Sequence, residues 1–372
     1  MAFAIRCRSQ KLFLIETMRG MFRWGSNRGD VLGTNVKDVL LCSSTRRAYR
    51  AALCTELKKP LVIADVPSRE LQPHEVRVGV HCAGVNFADT LVCQGLYQER
   101  CDLPFTPGME LSGRVLEVGT GVTAVREGDR VLSASFMGSM AEECIVQQQL
   151  LWPLPEGVTY AQAASLPVSY STAIMALVHR AKTRPGETVL VTAAAGATGL
   201  ATVDLASNIL QAKVIAAAGS DEKCQLALKM GAASALNYTQ CSLKEELKRL
   251  TDGQGVDVVI DVVGGDIFKE AFSSLKWEGR IVVVGFAGGN IASIPANHLL
   301  LKNVSALGVY WGRYSKVDFP VFSWSVSSVI QHCQEQRIRP HVGAVFKLDE
   351  VNQALAYVAG RQSMGKVVLS LE

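Results

Sequence analysis

The sequence predicts an α/β fold in which a doubly wound parallel sheet is inserted into a β-rich domain, and three observations carry that prediction. Alternating segments broken by glycine turns fill residues 48–170. From about Thr172, strand and helix patterns alternate, as they do in parallel doubly wound sheets. After about Trp311 the pattern is mixed again and closes on the strand-like Lys366-Val-Val-Leu-Ser-Leu. The expected organisation is one domain made of 48–170 plus 312–372, a second made of 171–311, and an N-terminal extension, 1–47. The 372 residues suffice for two cores, since single cores rarely grow past about 250–300 residues.

In chain order, the extension differs from everything that follows. Nine Lys and Arg residues from Arg6 to Arg47 face only Glu16, Asp30 and Asp38, with apolar residues interleaved. That is the pattern of a mitochondrial presequence; an unstructured extension or an alternative start exon, on a cytoplasmic protein, is the alternative. In the β-rich part, Glu75-Val-Arg-Val-Gly-Val-His-Cys alternates as a half-buried strand does, and the segments from Ser112 and Glu127 are strands set off by glycine turns. In the alternating part, strands are expected at 188–192, 213–217, 256–261 and 280–285. Helices are expected at 199–209, 221–230, 243–250 and 267–275. The apolar strand around Val304–Tyr310 lies near the edge of that sheet.

Composition narrows the function classes. With 48% hydrophobic and 19% charged residues, the chain is a globular protein. A net charge of +4 is too small to imply a nucleic-acid partner. No apolar run reaches the roughly 18 residues of a bilayer span, so no membrane partner is expected. The 10 cysteines include no C-x-x-C pair and read as buried thiols, with neither a disulfide framework nor a structural zinc site.

The most informative stretch is Glu187-Thr-Val-Leu-Val-Thr-Ala-Ala-Ala-Gly-Ala-Thr-Gly. A β-branched strand enters a turn of small residues, and the turn opens a helix. Ala195, Gly196, Ala197, Thr198 and Gly199 would let backbone approach a pyrophosphate, with free helix N–H groups aimed at it. A strand before, a helix after and another strand about fifteen residues on are the context a dinucleotide site requires. NAD-specific sites carry an acid at the end of the second strand, but here Val214-Ile-Ala-Ala-Ala-Gly-Ser lacks one. Ser220 and Lys223 offer a hydroxyl and a cation to a 2′-phosphate, which favours NADPH provided that Asp221 and Glu222 turn away.

Three segments carry a family resemblance: Cys82-Ala-Gly-Val-Asn-Phe-Ala-Asp-Thr-Leu, Leu103-Pro-Phe-Thr-Pro-Gly-Met-Glu-Leu-Ser-Gly, and the turn above. Together they resemble the zinc-free quinone oxidoreductase branch of the medium-chain dehydrogenases, which includes zeta-crystallin. The likeness runs in order from about Ala48 to Glu372. It implies a GroES-like catalytic domain with a Rossmann insert and an active site between them. Zinc-dependent members carry Cys where Asn86 stands and His where Met109 stands, and neither residue here is a usual zinc ligand.

The resemblance also implies roles. Asn86 matches an asparagine near the nicotinamide, a candidate catalytic and cofactor-binding residue, and Thr172 a threonine near the same ring. Gly219, Ser220, Lys223 and Tyr238 match the adenosine-phosphate pocket. Gly285, Phe286 and Ala287, with Tyr310 and Trp311, match two loops that close over the nicotinamide, although core packing is the plainer reading of those aromatics. Tyr97 matches an active-site tyrosine able to donate a proton. Leu91 stands where the family often has tyrosine, which makes the pocket wall more apolar.

The activity implied is NADPH-dependent hydride transfer to a small electrophile, a quinone or enone, without zinc. Two alternatives remain open: an enoyl-thioester reductase of the same superfamily, and an NADPH-binding sensor, crystallin or RNA-binding protein with little catalysis. A homodimer or homotetramer is expected, paired through the edge strand near Val304.

Overall fold

The structure, a computed structural model, describes residues 47–372; of the expected extension, only Arg47 falls inside the described residues. Strands β1 (Ala48–Leu53) and β2 (Val62–Pro67) pair antiparallel. They are followed by β3 (Glu75–Val85), helix α1 (Phe87–Cys93), β4 (Leu111–Val118), β5 (Arg130–Ser133), β6 (Glu143–Gln147) and β7 (Leu151–Pro153). The expected half-buried alternation of β3 is corrected, because the strand is buried on both faces. Its polar side chains stay paired there: Arg69 reaches Glu75 at 2.6 Å, and Arg77 donates to Glu117 at 2.9 Å.

A continuous run of α- and π-turns, α2 (Tyr160–Arg180), links this sheet to the next. The expectation that no segment would be long and apolar enough to span a bilayer needs correction. This one has 21 residues and a mean hydropathy of 1.2, and 72% of its apolar window is buried inside the protein. Its apolarity is that of a core helix, packed against Leu200, Val203, Phe322 and Val326.

The second sheet contains β8 (Thr188–Thr192), β9 (Lys213–Ala218), β10 (Ser234–Asn237), β11 (Val256–Asp261), β12 (Leu275–Val283) and β13 (Ser305–Gly308). All neighbours are parallel, in the order β10-β9-β8-β11-β12-β13. Between the strands run α3 (Ala197–Asp204, continued in π-turns to Ile209), α4 (Asp221–Lys229), α5 (Leu243–Leu250), α6 (Gly265–Ser273) and α7 (Ala296–Lys302). The two-residue period of β8 sends Val189 and Val191 into one core and Leu190 into the other, so helices are needed on both faces. Strand β12 starts at Leu275 where a start at Arg280 was expected, and α6 ends at Ser273, not Leu275. The cause is a bulge: Leu275 pairs with Val256 and Arg280 with Val258, and Glu278 between them takes φ +60°.

The chain then returns to the first sheet through α8 (Trp311–Val317), α9 (Phe319–Gln334), β14 (Val342–Lys347), α10 (Val351–Ala359) and β15 (Lys366–Ser370). The first sheet has the order β14-β15-β3-β4-β5-β7, with β6 also on β3, and β15 runs antiparallel to β3. The eight cysteines among the described residues are all free.

The turn between β8 and α3 is tightly built. Ala193 takes φ +48°, and a Cβ on Gly199 would lie 2.2 Å from the Ala193 carbonyl oxygen. Gly199→Ala should therefore cost about 1–3 kcal/mol of stability by overpacking. Gly285→Ala, whose added Cβ would meet nothing closer than 3.8 Å, should stay within about 0.5 kcal/mol of the natural protein. Urea unfolding midpoints of the two variants check this, and equal midpoints would contradict the packing described.

Candidate active site

Strand order in the second sheet reverses between β8 and β11, and open α/β sheets bind ligands at the carboxyl ends of the strands flanking such a point. The two strand ends are tied together here. Thr192 Oγ1 donates to Asp261 Oδ1 at 2.7 Å and accepts the Val262 N–H at 2.9 Å, while Asp261 Oδ2 accepts the Gly264 N–H at 2.9 Å. Burial raises the Asp261 pKa, against the pull of those donors.

The cleft above these ends is floored by Ala195, Gly196, Ala197, Thr198 and Gly199. Gly219, Lys223 and Tyr238 line one end of it. Lys223 Nζ donates to the Arg361 carbonyl at 2.6 Å, and burial with the nearby Arg361 charge lowers its pKa. The Asp221 carboxylate accepts from Asn237 at 2.8 Å and Gln240 at 3.2 Å, so it is turned to other partners. Ser220 does not line the cleft; its hydroxyl caps α4, accepting the Lys223 N–H at 3.3 Å.

Ala287 lines the cleft, but Gly285 and Phe286 do not. The loop is held by the Ala287 and Gly288 N–H groups, which donate to the carbonyls of Val262 and Val263, both at 2.8 Å, and the Phe286 ring lies beside Gly264, 37% exposed.

At the other end stand Val85, Asn86 and Phe87. Asn86 is 8% exposed, and its side chain is already engaged: Nδ2 donates to Glu110 Oε1 at 2.8 Å, and Oδ1 accepts from Lys366 Nζ at 2.7 Å. Lys366 also donates to Glu110, whose other oxygen accepts the Val168 N–H at 2.8 Å. Gly84 makes room for this carboxylate, since a Cβ there would lie 2.6 Å from Glu110 Oε1. Asp89, one turn into α1, accepts the Asn86 N–H at 2.7 Å, and its second oxygen has no partner.

A second pocket adjoins the first across α1: Asn86 and Phe87 face the cleft, and Ala88 and Val92 face the pocket. Tyr97 and Thr172 lie in its wall with Met109, Cys101, Tyr310 and Trp311, and the Tyr97 and Tyr310 phenols are neighbours. Burial raises the Tyr97 pKa, so the phenol keeps its proton at neutral pH. Tyr310 donates to Glu99 at 3.3 Å, and Lys316 Nζ lies 3.3 Å from both Glu99 oxygens, so Glu99 bridges the pocket mouth. Trp311 is chiefly a core side chain: its indole N–H donates to Ser325 at 2.9 Å and its ring packs 4.8 Å from Phe322.

The structure thus gathers the expected residues into two adjoining groups and leaves Ser220, Gly285 and Phe286 outside both. Sequence reasoning missed Glu110, Lys366, Arg361 and Glu99. Their partners are remote in the chain, 256 residues apart for Lys366 and Glu110, so no local spacing could reveal them.

Comparisons with known proteins define the class first. The family model described as "Alcohol dehydrogenase GroES-like domain" matches residues 72–156, and that described as "Zinc-binding dehydrogenase" matches 197–326. The first sheet is accordingly a GroES-like domain, the second a Rossmann-like one, and the class is the medium-chain dehydrogenases/reductases. A bovine relative (Bos taurus), "Quinone oxidoreductase-like protein 2", is 67% identical over 326 residues, covering 88% of this chain and 93% of the relative. The quinone oxidoreductase from Thermus thermophilus, solved also with NADPH, superposes with a TM-score of 0.77 at 35% identity, over 87% of this chain and 100% of that one. The Escherichia coli quinone oxidoreductase complexed with NADPH gives a TM-score of 0.77 at 26% identity, over 87% and 99%. The chain belongs to the quinone oxidoreductase family of the medium-chain class, a family of oxidoreductases.

Asp89 generates a pH prediction. Burial pushes its carboxyl up to about 7, the Asn86 amide and Lys366 pull against this, and Glu110 adds to the rise. A raised carboxyl favours the neutral form in the folded state. Its stabilising contribution is full below an ordinary Asp pKa of about 4 and is lost as pH rises through 7. Asp89→Asn, which keeps an oxygen for the Asn86 amide, should gain thermal stability relative to the natural protein as pH rises from about 4 to 8. Melting curves across that range test it; a pH-independent difference would show that Asp89 is not held neutral.

Proposed function

We propose that this chain is a zinc-independent, NADPH-dependent reductase that transfers a hydride to a quinone or other electron-poor alkene. One observation carries the reading. A cleft at the switch point runs from the paired cations Lys223 and Arg361, over a floor of small residues, to Asn86, where an apolar pocket with a protonated tyrosine adjoins it. NADPH, when bound, supplies the hydride. The relatives solved with that cofactor support its choice, as do the two cations and the turning of the Asp221 carboxylate to other partners.

The chain's own groups do the rest. Lys223 and Arg361 would hold the 2′-phosphate, and backbone N–H groups at the start of α3 would hold the pyrophosphate. The apolar pocket excludes water and sets the acceptor against the cofactor, so that most of the rate comes from orientation. The Tyr97 O–H would donate its proton to the acceptor oxygen as that oxygen gains the electron pair on reduction. The donor set does not fit zinc: Met109 offers a thioether, and the Lys366 ammonium already sits between Asn86 and Glu110, where a dication would be repelled. Without a Lewis acid to polarise a carbonyl, an acceptor that is already electron-poor is the fitting substrate.

The subunits pair, in this reading, through β13. Among the described strands it is hydrogen-bonded only to β12, and Ile291, Leu300 and Leu301 near it in sequence are exposed. Sedimentation at micromolar concentration should show a dimer or tetramer, and a monomer alone would sink the pairing.

The activity is tested on the full chain by intrinsic-fluorescence titration with NADPH and NADH. 9,10-Phenanthrenequinone is then added and the nicotinamide absorbance followed. Preferred NADPH binding with rapid oxidation is expected. Replacing Arg361 with Met should weaken NADPH by about 10–100-fold, since a hydrogen bond to a charged group is worth about 1.5–3 kcal/mol, and should leave NADH unchanged. Equal binding of the two nucleotides would contradict the cofactor assignment. Binding without quinone turnover, but with turnover of an enoyl thioester, would overturn the acceptor.

A further inference from the structure

The two residues expected beside the nicotinamide, Asn86 and Thr172, come from segments far apart in the chain. Asn86 begins α1, whereas Thr172 lies in α2, four residues after Val168. Both lead back to one buried pair. Glu110 accepts from Asn86 Nδ2 at 2.8 Å with one oxygen and from the Val168 N–H at 2.8 Å with the other. Lys366, 2% exposed, donates to that carboxylate and to Asn86 Oδ1 at 2.7 Å, and reaches Ser169 Oγ at 3.5 Å.

The pairing removes the ambiguity of an amide. With Oδ1 on an ammonium and Nδ2 on a carboxylate, Asn86 has one orientation, and its second Nδ2 hydrogen is left for the cleft. The residue before Lys366 reaches the floor of the same cleft: the Gly365 N–H donates to the Ala195 carbonyl at 2.8 Å. One dipeptide at the start of β15 therefore touches both the floor and the far end of the cleft.

We propose that Lys366 is a positioning residue for hydride transfer, fixing Asn86 directly and the Val168–Thr172 segment through Glu110. The proposal rests on reading the cleft as a nicotinamide cofactor site. A buried ammonium that only filled space could be exchanged for a neutral side chain without consequence for either segment; one that organises them could not.

The test uses the full chain and the variants Lys366→Gln and Lys366→Gln/Glu110→Gln. The double variant removes both charges together, so that no unpaired charge is left to unfold the protein. The first readout needs no cofactor. Amide hydrogen exchange at residues 86–93 and 166–172 should quicken about tenfold or more in either variant, with the core of β8–β12 unchanged. The second is affinity for NADPH against 2′,5′-ADP, which lacks the nicotinamide. The NADPH advantage over 2′,5′-ADP should shrink several-fold while 2′,5′-ADP itself binds as before, and kcat should fall more than KM rises. Unchanged exchange at those segments, or an equal loss of both nucleotides, would overturn the proposal. Failure of the natural protein to bind NADPH would instead overturn the cofactor assignment, and the exchange data would still judge Lys366.

Discussion

A lysine ammonium and a glutamate carboxylate meet where neither reaches water, and the site is arranged around them. Lys366 lies at the start of the last strand, and Glu110 directly precedes β4. Desolvating two charges costs several kcal/mol each, and their attraction offsets that only when the remaining polar atoms are satisfied. Asn86, Val168 and Ser169 satisfy them here. The first sheet, the start of α1 and the entry to α2 are thereby fixed to one another, because a shift of any of them would leave a buried charge short of partners. Leaving one such charge unpaired costs about 3–5 kcal/mol.

The second sheet sets the other half of the geometry. Its parallel strands require helices on both faces, and its reversal between β8 and β11 leaves a crevice at the strand ends. Small residues line that crevice because α3 and the turn before it pack at contact distance: Gly199 cannot carry a Cβ beside the Ala193 carbonyl. Where the crevice meets the fixed end of the first sheet, a pocket opens with Tyr97 and Thr172 in its wall. On the proposed function the crevice holds the donor and the pocket the acceptor, neighbours as hydride transfer between two bound molecules requires.

Much of this was legible in the sequence. The β8 strand, the small-residue turn and the following helix announced themselves, since a β-branched run ending in Ala-Ala-Ala-Gly-Ala-Thr-Gly serves few other purposes. Local rules placed single side chains less well. Ser220 follows β9 and caps the first turn of α4 by accepting the Lys223 N–H, a second use of the hydroxyl that leaves its own O–H free to donate. Trp311 lines the pocket and is also a core side chain, held by Ser325 and Phe322, so both readings of that aromatic apply to it. Phe286 lies beside Gly264, outside both cavities, in a loop held by two backbone hydrogen bonds that no pattern announces. The least legible residues, Glu110, Lys366 and Arg361, act on partners reached only through the folded chain. Lys366 in particular reads as an ordinary polar residue at the start of a strand.

The central claim is that the cleft presents a hydride donor directly to an acceptor held beside Tyr97. Reduction of a simple enone in ordinary water with NADPH deuterated at one face of C4, followed by mass spectrometry and NMR of the product, tests it most directly. One face of C4 should deliver its deuterium to the β-carbon of the enone, with an unlabelled proton from solvent at the α-carbon, and the other face should deliver none. Product free of deuterium from both faces, or label scrambled between them, would contradict direct transfer in this cleft.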